Sequence, residues 1–156
     1  MENLTKELIN DLIRPRQANS HKGDFGHSLL IVGQEGKMGA AIISAKACLR
    51  AGTGLLTVSV PSFEKLIIQI AVPEAMLVFR ENESEDFDQF SAIGIGCGIG
   101  ISPENEQLIS QLFQNFKGPL LLDADALNVI ANNQYLLKNI PFKTIITPHP
   151  KEFDRL

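Results

Sequence analysis

The sequence predicts an α/β domain with a mostly parallel central sheet covered by helices on both faces. Two observations carry the prediction. Short, nearly continuous apolar runs alternate with longer segments of helical periodicity, the pattern of strands buried on both sides. Glycines and chemistry-bearing polar residues gather just after the apolar runs, where open α/β sheets hold ligands.

The first element is a helix. Leu4, Leu8, Ile9, Leu12 and Ile13 recur at helical spacing and predict it over 5–13, ended by Arg14-Pro15-Arg16. The polar, glycine-containing stretch 17–26 is a loop. A strand over 28–32 and a turn over 33–37 lead to a helix over 39–51, whose small residues suit close packing on a sheet. Ala51-Gly52-Thr53-Gly54 breaks that helix. A strand over 55–60, a helix over 63–70 and a short strand over 75–79 come next. Residues 82–89 are acidic and read as a solvated loop or helix edge. A strand over 92–95 precedes a helix over 103–116, with Pro103 in its first turn. The remainder reads as a strand over 120–122, a short helix over 126–131 and a strand over 144–146.

Composition excludes several function classes. The chain has 156 residues, 44% hydrophobic and 21% charged, with a net charge of −4. That fits one domain with a core that needs no disulfides. Cys48 and Cys97 lack metal-like spacing, and Cys48 falls in an apolar helical pattern as a small core residue. No basic cluster suggests nucleic acid. No apolar run approaches the roughly 20 residues of a membrane span, and the charged N-terminus does not read as a signal peptide. The expected setting is cytoplasmic. The final residues come just after the start of a helix, so the expectation is the N-terminal portion of a single domain.

Four strand ends deliver distinctive loops. After 28–32 come Gly33, Gly36, Gly39 and Ala40. After 92–95 come Gly96, Cys97, Gly98, Ile99 and Gly100. After 120–122 come Asp123 and Asp125. After 144–146 come Thr147 and His149. The glycines permit close backbone approach to a ligand, or tight packing. They match neither the dinucleotide fingerprint nor a P-loop. Asp123 and Asp125 can orient a polar ligand, hold Mg²⁺ or cap a helix. His149 sits between two prolines that fix the backbone around it, which suits hydrogen bonding to a ligand. Pro150 can open a helix, with Glu152 favourable in its first turn. Lys22 either faces a phosphate or is solvated. Glu74 and His27 read mainly as structural, and no nucleophile–base triad is evident.

Taken together, the motifs resemble those of the ADP- or ATP-dependent NAD(P)H-hydrate dehydratases. They are Lys22-Gly23-Asp24-Phe25-Gly26, Gly39-Ala40, Arg50-Ala51-Gly52-Thr53-Gly54, Pro73-Glu74, Gly96-x-Gly98-Ile99-Gly100, Asp123-Ala124-Asp125-Ala126-Leu127 and Thr147-Pro148-His149-Pro150-x-Glu152, in family order. The resemblance implies a ribokinase-like three-layer α/β/α sandwich. It implies repair of the S epimer of NADHX or NADPHX by phosphorylation of the hydrate and phosphate elimination, with ADP or ATP as co-substrate and Mg²⁺. It also implies a homo-oligomer, and an epimerase acting separately in the same pathway. Ala40, Gly100 and His149 would contact the hydrated dinucleotide, and Gly98, Asp125 and Lys22 would line the same cleft. Cys97 stands where the family usually has proline, and Lys37 and Met38 where it has an aromatic and a small residue. The family's lysine-glycine nucleotide loop and its Gly-Thr-Gly-Asp motif, with the aspartate expected to act as base, are not among these residues. The chain alone is therefore expected to be inactive. Two other readings are a ribokinase-like kinase of a small vitamin precursor and a non-catalytic dinucleotide-binding fragment.

Overall fold

The described residues form a six-stranded sheet, every strand pair parallel, in the order β3-β2-β1-β4-β5-β6. The structure is a computed structural model and describes residues 5–12, 17–81 and 86–156. The elements are α1 (Lys6–Leu12), β1 (His27–Ile31), α2 (Met38–Ala51), β2 (Leu55–Val60), α3 (Lys65–Ala71), β3 (Met76–Phe79), β4 (Ala92–Ile95), α4 (Pro103–Asn115), β5 (Leu120–Leu122), α5 (Asp125–Ala131), α6 (Gln134–Lys138), β6 (Ile145–Ile146) and α7 (Pro150–Phe153). Three 3₁₀ turns, Lys22–Phe25, Ser62–Glu64 and Phe87–Gln89, sit between them. The expected roles of Leu4, Ile13, Arg14-Pro15-Arg16 and the acidic residues 82–85 lie outside the described residues.

Strand alternation divides the core between the two faces. Leu29, Ile31, Ile93, Ile95, Leu120 and Leu122 face one side, where Ile109 and Leu112 of α4, Leu127 and Ile130 of α5 and Leu136 of α6 cover them. Leu56, Val58 and Val60 face the other, beneath Met38, Ala41 and Ala45 of α2 and Ile68 of α3. This is a three-layer α/β/α sandwich. Among the described residues, helices cover the second face over β1–β3 only. Register continues it through Gly94, Leu121 and Ile145, and Leu121 and Ile145 are 38% and 59% exposed.

The differences from expectation are local. The segment predicted as a helix over 63–70 is split, because Pro61 holds extended backbone and Glu64 N–H closes a tighter turn onto the Pro61 carbonyl at 3.0 Å before α3 begins. Helix α6 was not anticipated. Its start is fixed by Asn133, whose Oδ1 accepts from the N–H groups of Tyr135 and Leu136 at 2.9 and 3.2 Å. Thr144 leaves the ladder, since its N–H turns back to the Pro141 carbonyl.

Candidate functional site

The strand order reverses between β1 and β4. The helix after β1 packs on one face of the sheet and the helix after β4 on the other. The two connections therefore diverge and leave a crevice at the carboxyl ends of these strands. The two loops are laced together there. Gly33 N–H donates to the Cys97 carbonyl at 2.9 Å, and Gly96 N–H to the Ile31 carbonyl at 3.2 Å. Two positions require glycine. Gly96 has φ 137°, and a Cβ there would lie 1.8 Å from the Asp123 carbonyl oxygen. Gly98 has φ 74°, and its Cβ would meet Ala40 Cβ at 3.1 Å and the Lys37 carbonyl oxygen at 3.2 Å. A side chain at Gly96 would collide with the backbone after β5, and one at Gly98 would combine a left-handed backbone with crowding against Ala40 and Lys37. Ala40 thus lies in the first turn of α2, against the glycine loop.

Asp125, at the head of α5, joins three of the strand-end loops. Its Oδ2 accepts from Gly100 N–H at 2.8 Å and stands 3.2 Å from Lys37 Nζ. One carboxylate oxygen so ties α5 to the loops after β4 and β1. The neighbouring Asp123 accepts from the Cys97 thiol at 3.3 Å, and burial, foremost, pushes that thiol's pKa up. Ala124 between them adopts φ 49°, ψ −116°. This left-handed conformation is strained for a residue with a Cβ.

His149 caps α7. Its Nδ1 accepts from Glu152 N–H at 3.3 Å, and its own N–H donates to Glu152 Oε2 at 3.0 Å. With Nδ1 accepting, the other nitrogen carries the proton, and Nε2 stands 3.2 Å from Glu152 Oε1. Glu152 is buried, whereas the imidazole is 57% exposed. The ring is thereby fixed in orientation beside β6 with much of its surface open.

Lys22 does not join this group. It precedes β1, and the 3₁₀ turn that holds it packs under Gly54 and Leu55 at the amino ends of β1 and β2. In a parallel sheet that is the opposite edge. Conversely, sequence reasoning passed over Arg80. This residue lies directly after β3, and its Nη2 donates to the carbonyls of Val32, Gly33 and Ser59 at 2.9, 2.9 and 3.1 Å. Beside it lies a cavity of about 560 Å³, lined in part by Gln34, Glu35, Gly36, Phe63, Ile99 and Asn105. A charged residue just past an apolar strand was the available signal.

A family model described as NAD(P)H-hydrate dehydratase matches residues 28–156. The chain belongs to this family. An ADP-dependent (S)-NAD(P)H-hydrate dehydratase of Listeria monocytogenes is 32% identical over 161 residues, covering 100% of this chain and 58% of that protein. Among solved structures, a ribokinase-like superfamily protein of Enterococcus faecalis superposes with a TM-score of 0.86 at 28% identity, over 97% of this chain and 55% of that one. The ADP/ATP-dependent NAD(P)H-hydrate dehydratase of Bacillus subtilis, co-crystallized with ATP/Mg²⁺, gives 0.80 at 28% identity, over 97% and 54%. The fold is therefore ribokinase-like, as the motifs implied. The chain spans about half the length of the relatives it matches.

Within that family fold, Ala40, Gly98, Gly100 and Asp125 come together at the switch point. His149 stands two strands away along the same edge of the sheet. The residues described do not make a convincing Mg²⁺ site. Asp125 Oδ2 already serves an N–H and faces an ammonium, and no group of three candidate ligands occurs among the described residues.

Proposed function

We propose that these residues form the dinucleotide side of an ADP- or ATP-dependent (S)-NAD(P)H-hydrate dehydratase. The observation that carries the reading is the Asp125 hub. It holds three adjacent strand-end loops around the one crevice that the sheet topology opens. The family membership and the printed activities of the Listeria and Bacillus relatives support the substrate class.

In this reading the first turn of α2, with Ala40 and no acidic side chain, faces an anionic stretch of the hydrated dinucleotide. The glycine loop at Gly98 and Gly100 lets the ligand's backbone approach closely. His149, fixed by Glu152, offers the exposed part of its ring as a binding surface. Lys37 adds a cation at the mouth of the crevice. The reaction transfers a phosphoryl group from ADP or ATP to the hydrate's hydroxyl oxygen. The carbon–oxygen bond then breaks, phosphate leaves, a ring proton is lost, and NADH or NADPH is restored. Such transfer depends on positioning and charge neutralisation. Mg²⁺ would neutralise the nucleotide's phosphates, and no ligand for it is assigned to these residues. Lys22, at the other edge, is not proposed for the crevice. We place the protein in the cytoplasm. The family resemblance supports a homo-oligomer as well.

The test is a coupled assay of NADPH recovery from its S hydrate with ADP and Mg²⁺. Residues 1–156 alone are expected to give no turnover above background, because among the described residues none is positioned as a nucleotide-phosphate loop or as the base. Turnover at a normal enzymatic rate would show that the phosphoryl-transfer half is built from residues within this chain. A thermal-shift panel of dinucleotides against small vitamin-precursor alcohols separates the dehydratase reading from the kinase reading.

A further inference from the structure

The last carbonyls of strands in a parallel sheet have no ladder partner and must be satisfied locally. At the exit of β1 these are Val32 and Gly33, while the nearby Ser59 carbonyl of β2 already accepts from Val32 N–H at 3.3 Å. Arg80 reaches over from the end of β3, and the two hydrogens of Nη2 are shared among the carbonyls of Val32, Gly33 and Ser59 at 2.9, 2.9 and 3.1 Å. Its backbone N–H meanwhile holds the Val60 carbonyl at 3.2 Å, and Glu81 next to it accepts from Ser62 N–H at 3.1 and 3.2 Å. A guanidinium makes charge-assisted bonds in a fixed plane, so it dictates where the accepting carbonyls point.

The loop that begins at Gly33 carries that direction into the crevice. Gln34 packs its side-chain amide against Gly100, where a Cβ would lie 2.3 Å from Gln34 Oε1. Lys37 N–H closes the turn onto the Gln34 carbonyl at 2.8 Å, and Lys37 Nζ meets Asp125. The direction in which the chain leaves β1 therefore fixes both the Gln34 amide and the Lys37 ammonium. Pairing of β1 with β2 does not need Arg80, because it is made by the strands' own backbone groups from His27–Leu55 through Ile31–Ser59.

We propose that Arg80 is a positioning residue for the switch-point site, setting the conformation of the loop over 33–37 from outside it. The ligand's identity rests on the functional reading above, and the positioning does not. The experiment compares wild-type chain, Arg80→Lys and Arg80→Gln by amide hydrogen exchange and by titration with NADPH. In Arg80→Gln, amides in 33–37 are expected to exchange about tenfold faster or more, while those of β4 and β5 keep wild-type protection. The dissociation constant for NADPH rises by about tenfold, and Arg80→Lys, which keeps the cation, falls between. Wild-type protection at 33–37 in Arg80→Gln overturns the proposal, as does an increase shared equally by β4 and β5. Should Arg80→Gln fail to fold, the same local contrast must appear in Arg80→Lys, and its absence there also overturns the proposal. If wild-type chain does not bind NADPH, the functional reading fails, and the exchange contrast still decides the role of Arg80.

Discussion

Asp125 makes two contacts of unequal worth. The ion pair with Lys37 is half in solvent and contributes under about 1 kcal/mol. The bond from Gly100 N–H is charge-assisted and partly buried, and losing it costs about 1–3 kcal/mol. Asp125→Asn keeps an acceptor for Gly100 and should lose less than about 1 kcal/mol. Asp125→Ala should lose about 1–3 kcal/mol. Urea denaturation of both variants checks this, and equal losses would mean that the ion pair dominates. A second residue-scale expectation concerns pH. Burial lowers the pKa of His27, whose Nε2 contacts Thr57 Oγ1 at 2.8 Å and whose ring meets Phe90 edge-on. The unfolded chain then binds the proton more readily. The His27 contribution is intact above about pH 6.5 and is lost as pH falls through that value toward the lower folded pKa. Melting temperature of the wild-type chain should drop more steeply below pH 6.5 than that of His27→Gln, and parallel curves would contradict this. The partners of Asp125 were not legible in the sequence. Gly100 is 25 residues away and Lys37 is 88, and only the strand order brings them together.

At the scale of elements, sequence and structure agree where chemistry punctuates the chain. β2, β4 and β5 are apolar runs bounded by Gly54 and Pro61, Ser91 and Gly96, and Pro119 and Asp123, and their predicted limits match those observed. α6 was missed because five residues are too few for a periodic pattern, although Asn133 is a good N-cap. Asn133→Ala should cost about 1 kcal/mol and loosen 134–138 selectively. Amide exchange across α6 and α4 would show it, and unchanged protection of α6 would refute the cap. Lys22 shows how direction along the chain decides placement. Its loop precedes β1, so a parallel sheet places it at the edge away from the crevice.

For the whole molecule, the arrangement derives from one topological fact, the reversal of strand order between β1 and β4. It opens the crevice, and the glycine loop, Asp125 and the first turn of α2 occupy it. The sequence disclosed the layers and the strand-end loops, since those depend on local pattern. It could not disclose which loops are neighbours. The central claim is that this crevice binds a nicotinamide dinucleotide. Thermal and chemical denaturation of residues 1–156 with rising NADPH tests it most directly. At roughly 100 times the dissociation constant, the ligand should add about 2.7 kcal/mol of stability, and Gly98→Val, which crowds Ala40 and Lys37, should abolish that gain. Equal stabilisation of wild type and Gly98→Val, or none of wild type at millimolar NADPH, would contradict the claim.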